Sequence, residues 1–167
     1  MIYTAYILPP GDIDAMLKIE NASFITPWQR QDIEGDLNSN PCARYMGIYD
    51  EGRLIGWGCV WLKMNEAHLM TVAIEPSRRG EGHGKTLTKA LMQAASDGGA
   101  VFIELECRRA NTVAQKMYNA LGFIRVGIRK GYYTDTGDDA FIYAHIALPK
   151  ANWENDPYIT HQTEDTN

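Results

Sequence analysis

The sequence offers little for a metal to hold. Its three cysteines, Cys42, Cys59 and Cys107, are widely spaced and form no C-x-x-C pair, so neither a disulfide framework nor a zinc site is implied. Buried free thiols are expected instead. His68, His83, His145 and His161 include no pair three or four residues apart, so helical metal-ligand spacing is missing and no metal is expected. No apolar run approaches the roughly 18 residues of a membrane helix. The opening MIYTAYILPPGD has neither a basic leader nor a small-residue cleavage site, which points to the cytoplasm and to no membrane partner. Positive charge is also scarce: the formal net charge of −5 argues against direct nucleic-acid binding and suits a cationic peptide or amine.

What is present is an ordinary globular composition, 45% hydrophobic and 22% charged over 167 residues, enough for one domain with a buried core. There is no internal repeat or linker, and nothing sets an oligomeric state. A domain over residues 1–148 is followed by a polar, acidic tail, 149–167, expected to be disordered or loosely docked because it has little apolar surface to bury. Trp153, Tyr158 and Ile159 are what it could pack with.

Strand and helix patterns alternate along the domain. IYTAYIL reads as a strand, and Asp12 caps a helix through Phe24. Pro27 and Trp28 open a short helix with Ile33 and Leu37 inward. ARYMGIYD and RLIGWGCVWL read as a hairpin across Asp50-Glu51-Gly52, and EAHLMTVAIE as a further strand. Leu87, Ala90, Leu91, Ala94 and Ala95 form the stripe of a helix stopped by Gly98-Gly99. VFIELEC is the next strand. A helix carrying Val113, Ala114, Met117, Tyr118 and Leu121 ends at Gly122, where a left-handed cap is wanted. FIRVGIRK and DAFIYAHIAL close the domain, separated by a long polar loop, GYYTDTGDD. The order implies one α/β domain with a mixed sheet.

Between EAHLMTVAIE and the Leu87 helix lies RRGEGHGKT. A nucleotide P-loop would need glycine where Arg79 stands, so that reading fails by one position. Gly80, Gly82 and Gly84 still leave backbone amides uncovered at a helix N-terminus, and such a terminus is an anion site. Arg78, Arg79 and Lys85 add positive charge around it. A flexible turn with solvated basic residues is the alternative.

Arg79-Gly80-Glu81-Gly82-His83-Gly84 resembles the pyrophosphate-binding motif, Arg/Gln-x-x-Gly-x-Gly/Ala, of the GNAT superfamily of acetyl-coenzyme A dependent N-acetyltransferases. LECRRANTVAQKMYNALGF (105–123), IENASFITPW (19–28) and YYTDTGDDAFIY (132–143) resemble, in order, segments of the RimI family of bacterial ribosomal-protein alanine N-acetyltransferases. The likeness spans roughly residues 2–148. It implies the GNAT fold, a mixed and mostly antiparallel sheet with helices on both faces, and acetyl-coenzyme A as cosubstrate. It further implies that the backbone of Val72, Ala73 and Ile74 holds the acetyl and pantetheine end, and that Arg79, Gly80, Glu81, Gly82, His83, Gly84 and Lys85 hold the pyrophosphate. Asn111 would contact the coenzyme while capping its helix. Glu81, a carboxylate inside an anion loop, and Tyr143, where the family has methionine, depart from the pattern.

By the same resemblance Glu106 is the general base and Tyr118 the general acid. Burial of Glu106 would raise its proton affinity toward a useful range, and a phenol with an ordinary pKa near 10 stays protonated at neutral pH. Glu104 and Glu106 could instead mark a solvent-facing strand edge, and Tyr118 could be core. The acceptor would be a primary amine, such as a protein N-terminus, a lysine side chain or a small molecule. Trp28, Tyr132 and Tyr133 could wall a peptide groove, with Asp135, Asp138 and Asp139 attracting a basic peptide. Aromatic packing beside a solvated acidic turn is the other reading of those residues.

Overall fold

A computed structural model describes residues 1–158; Ile159 and the rest of the tail lie outside the described residues. Seven strands form one sheet in the order β1-β2-β3-β4-β5-β7-β6, with β1 Ile2–Tyr6, β2 Ala43–Asp50, β3 Arg53–Lys63, β4 Glu66–Ile74, β5 Phe102–Arg108, β6 Ile124–Tyr133 and β7 Asp138–His145. Every neighbouring pair is antiparallel except β4–β5. That parallel pair needs a crossover, and the crossover is the long helix α3, His83–Asp97, described below with its partners.

Helices cover both faces, as expected. On one face α1 (Ile13–Ser23) and α2 (Arg30–Ser39) bury Met16, Ile19, Ile33 and Leu37 against Tyr45, Trp57 and Cys59. On the other, α3 and α4 (Thr112–Ala120) pack Leu87, Leu91 and Tyr118 onto Ile48, Ile55, Ile103 and Leu105. β3 faces a core on both sides, which is why it reads as a nearly continuous apolar run. Gly58 permits a close approach of helix and strand: a Cβ there would stand 2.6 Å from Leu91 Cδ1 and 2.7 Å from the Thr71 carbonyl oxygen.

Local chemistry explains the boundaries. Asp12 caps α1 by accepting from the Ala15 amide at 3.2 Å. Glu51 and Gly52 both have positive φ, 47° and 80°, the requirement of a two-residue hairpin. Gly122, φ 92°, follows the end of α4. The second helix begins later than expected, at Arg30. The Trp28 amide is turned toward Glu20 instead of into a helix, and the Asp32 carboxylate accepts from Gln29 N–H at 2.9 Å.

Three expectations are corrected. GYYTDTGDD is no long loop: β6 continues through Tyr133, whose carbonyl accepts from Gly137 N–H at 2.7 Å, closing a tight hairpin. Cys42 is exposed, whereas Cys59 and Cys107 are buried. The tail is docked as far as it is described. Asp156, 2% exposed, accepts from Arg44 Nε and Nη2 at 2.9 and 3.0 Å, and the Ser96 hydroxyl donates to the Pro149 carbonyl at 2.5 Å. An ion pair and caps, rather than apolar area, hold this segment down. Among the described residues no helix is long and apolar enough to cross a membrane.

Candidate active site

The parallel pairing of β4 with β5 stops at His68 and Glu104. Beyond it the strands diverge, and a cleft of about 540 Å³ opens between Leu69–Val72 on β4 and Leu105–Arg108 on β5. Ligands in α/β sheets bind at such carboxyl ends of parallel strands. The edge of β4 past His68 has no strand partner on this side among the described residues, so its amides and carbonyls are available to an extended ligand. Val72 lines the cleft, with Ala73 and Ile74 following toward the loop.

Glu106 and Tyr118 face this one cleft. The Glu106 side chain is 10% exposed, and Oε2 lies 2.5 Å from Nε2 of His68, which is 37% exposed on the neighbouring strand. Burial pushes the Glu106 carboxyl up, but the His68 hydrogen bond and charge, with Arg129, outweigh it, and the net pKa is below the ordinary carboxylate value. The expectation of raised proton affinity is therefore corrected. His68 moves the other way: the hydrogen bond to Glu106 raises it above its ordinary value despite partial burial. Near neutral pH, proton affinity resides in the pair rather than in Glu106 alone. The Glu106 side chain is largely buried and faces the cleft, so the solvent-facing reading of Glu106 does not hold.

Tyr118 is 9% exposed, with its ring edge-on to Phe123 at 5.5 Å and tilted against Tyr143 at 6.1 Å. Burial raises its pKa well above the phenol value, with the Cys107 and Tyr133 groups adding to it, so it holds its proton throughout the neutral range. Asn111 caps α4 by accepting from the Ala114 amide at 3.1 Å, and it also lines the cleft.

The glycine loop sits where β4 runs into α3. Gly80 and Gly82 have φ of 80° and 85°, with open space where a Cβ would stand. The first backbone bond of α3 is Thr86 N–H to the Gly82 carbonyl at 3.2 Å, so the amides of His83, Gly84 and Lys85 have no intrahelical acceptor. The Thr86 hydroxyl also donates to Gly82, at 3.2 Å. The basic residues behave differently from expectation. Arg79 braces the fold, donating from Nε to the Ile74 carbonyl and from Nη2 to Ser23 Oγ at 2.9 and 3.0 Å. Arg78 is neutralised by Glu81 and Asp50 at 3.0 and 2.9 Å. That ion pair also occupies the anomalous Glu81 carboxylate. Lys85 is exposed, with no anionic partner among the described residues.

The other wall carries Trp28, Tyr132 and Tyr133. Trp28 packs edge-on to Trp57 at 6.2 Å, and Tyr132 lies edge-on to Tyr133 at 5.1 Å. The hairpin is tied to the α1–α2 loop by Thr26 Oγ1 donating to Asp135 Oδ2 at 3.0 Å. Asp135 is also gripped by Arg108 at 2.9 and 2.6 Å, which holds its carboxyl low, at about 2. Asp138 accepts from Ala110 N–H at 3.2 Å, and Asp139 from Gly131 N–H at 2.9 Å. These aspartates shape the hairpin rather than standing free for a basic peptide.

A coenzyme diphosphate fits these residues: free helix amides, glycines with open space above them, and the buried His83 Nε2, which has no hydrogen-bond partner although Glu81 lies 3.3 Å away. No group of side chains able to hold a metal ion occurs among the described residues. Fold and cleft thus fit a group-transfer enzyme whose donor carries a diphosphate. The sequence profile of the acetyltransferase (GNAT) family matches residues 13–123, and the chain belongs to that family and is an N-acetyltransferase. Among its relatives, a Bacillus subtilis protein given provisionally the name ribosomal protein bS18-alanine N-acetyltransferase is 38% identical over 131 residues, 78% of this chain and 87% of the relative. The Escherichia coli (strain K12) enzyme of that name is 30% identical over 146 residues, 85% and 94% of the two chains. The crystal structure of the ribosomal-protein-S18-alanine N-acetyltransferase from Escherichia coli superposes with a TM-score of 0.79 at 25% identity, covering 89% of this chain and 96% of that one.

Proposed function

We propose that the protein transfers the acetyl group of acetyl-coenzyme A to the α-amine of a protein N-terminus beginning with alanine, a ribosomal small-subunit protein in the cytoplasm being the substrate that its relatives' names suggest. The observation that carries the reading is that Glu106, hydrogen-bonded to His68, and Tyr118 line one cleft at the strand divergence.

Acetyl-coenzyme A supplies an acetyl group activated as a thioester. The amides of His83, Gly84 and Lys85, with Gly80 and Gly82 uncovered, hold its diphosphate. The edge of β4 at Val72 and Ala73 holds the extended arm, the Ile74 carbonyl being taken by Arg79, and Asn111 lies beside it. Trp28, Tyr132 and Tyr133 wall the acceptor. Glu106 faces the cleft and takes the proton lost by the attacking amine. The short bond to His68 passes that charge to a partly exposed imidazole of raised pKa, from which the proton reaches solvent. Tyr118, kept protonated by burial, donates to the departing thiolate sulfur. The amine thus loses one proton to solvent and the thiolate gains one from Tyr118, which recovers its own from solvent, so that amide, free thiol and enzyme balance.

The test is thiol release with a panel of acceptors: an Ala-Arg peptide, the same peptide N-terminally blocked with a free lysine, and small amines. Preference for the free α-amine is expected. Turnover confined to the lysine peptide or to small amines would move the acceptor assignment elsewhere.

A further inference from the structure

Three buried side-chain atoms among the described residues lack a hydrogen-bond partner: Tyr6 Oη, Glu20 Oε2 and His83 Nε2. His83 belongs to the diphosphate loop, and Tyr6 sits near the tail ion pair, where burial and then Asp156 raise its pKa. Glu20 belongs to neither. It stands on the inward face of α1, is 1% exposed, and yet lines the cleft that holds Glu106 and Tyr118. Its Oε1 accepts the Trp28 amide at 3.1 Å, which fixes the carboxyl group and leaves Oε2 unanswered.

A buried oxygen without a donor is destabilising, and a methionine or leucine would fill the same space without that cost. An orphaned acceptor on a side chain that lines a ligand cleft is complementary to a ligand that brings N–H groups to it. We propose that Glu20 registers the acceptor, its Oε2 receiving an N–H of the incoming primary amine. The proposal rests on the acetyl-transfer reading and adds a second carboxyl with a separate role. Glu106 is bonded to His68 and moves the proton, while Glu20 holds the amine. Trp28, fixed by the other Glu20 oxygen, is itself a wall of the acceptor site, so one side chain sets both the pocket wall and the amine. Glu20 is a positioning residue, and its signature lies in the acceptor KM.

Glu20→Gln is the informative variant, because its amide oxygen can still accept from Trp28 while an NH2 group replaces Oε2. With an Ala-Arg peptide and acetyl-coenzyme A, the peptide KM is expected to rise about tenfold or more, the scale of a lost hydrogen bond to a charged group. The coenzyme KM should stay within about twofold, the scatter of an untouched site, and Tm should be unchanged. An unchanged peptide KM in a folded variant overturns the proposal, as does an equal rise in both KM values, which would mark a merely structural residue. Should the variant fail to fold, calorimetry on the wild type decides: the peptide should bind more tightly than its des-amino analogue, and equal binding overturns the proposal. A wild type that acetylates no amine would refute the acetyl-transfer reading and this proposal with it, whereas normal wild-type turnover with Glu20→Gln unaffected refutes the role of Glu20 alone.

Discussion

Removing the Asp156 carboxylate tests whether the docked tail belongs to the folded domain. Its side chain is fully buried against Arg44, itself 7% exposed. The pair is bidentate at 2.9 and 3.0 Å, Asp156 also accepts the Tyr158 amide at 3.0 Å, and the Tyr158 ring lies 4.4 Å from the guanidinium. In Asp156→Ala the guanidinium keeps its bonds to the Pro41 and Ala43 carbonyls, at 2.6 and 3.1 Å, but remains buried as an uncompensated charge. Breaking such a pair costs about 3–5 kcal/mol. For a domain of this size 1 kcal/mol is roughly 2–4 °C, so Tm should fall by roughly 6–20 °C in thermal unfolding followed by circular dichroism. Asp156→Asn keeps one oxygen and should lose less. Replacing both partners by leucine should recover much of the loss, since the desolvation of two charges disappears with them. None of these residues lines the cleft, so both KM values at 20 °C should hold. A Tm for Asp156→Ala within about 2 °C of wild type, less than 1 kcal/mol, would refute the docking.

Glu106→Gln and Tyr118→Phe should each lower kcat by about 10²-fold or more in the thiol-release assay, with coenzyme-induced thermal stabilisation retained; undiminished kcat in both variants would mean that other groups move the protons. His68→Gln removes the partner that holds Glu106 low while burial remains, so the Glu106 pKa, followed by NMR titration of its carboxyl carbon, should rise; an unmoved pKa would show that the two do not titrate together. Gly82→Ala places a Cβ at φ 85°, a strain of about 1–2 kcal/mol, and partly covers the loop. The coenzyme KM should rise with kcat at saturation little changed, and an unaltered KM would argue against diphosphate binding there.

Local patterns carried much of the fold. Asp12, the Glu51-Gly52 turn and Gly122 are punctuation that acts within four residues, and the alternation of strand and helix follows from it. The glycine loop was legible for the same reason, since its amides need only a strand before them and a helix after. The His68–Glu106 contact was not. It joins residues 38 apart and exists because β4 and β5 pair in parallel with His68 opposite Glu104, a register that no local pattern encodes. Without His68 the sign of the Glu106 shift came out wrong, because burial was the one effect visible along the chain. Glu20 was hidden differently, as one polar residue on an apolar helix stripe whose significance depends on what lines the cleft. Residues 149–158 misled because their anchors are an ion pair to Arg44, 112 positions away, and hydrogen bonds to Gln93, Ser96 and Asp97 on α3, and composition does not register those.

The corrected sign at Glu106 sharpens the choice of acceptor. A carboxylate held below its ordinary pKa is ionised across the neutral range but is a weak proton acceptor, and His68, raised above its reference value near 6.5, is where a proton comes to rest. That acceptor is matched to an α-amine of pKa about 7.7–8.0, of which roughly one in ten is neutral at pH 7, whereas for lysine near 10.4 it is about one in a few thousand. The gap of about 2.5 units is worth about 3 kcal/mol of extra barrier for lysine. To offset it the cleft would need a fixed cation beside the amine. The arginine that lines it, Arg108, is committed to Asp135, and Glu20 and Glu106 would raise an amine's pKa rather than lower it. An α-amine acceptor should therefore give a kcat/KM that levels off near pH 8, while a lysine acceptor would keep climbing about tenfold per pH unit toward 10. A profile of the second kind with the preferred substrate would show that the His68–Glu106 pair is not what limits the choice.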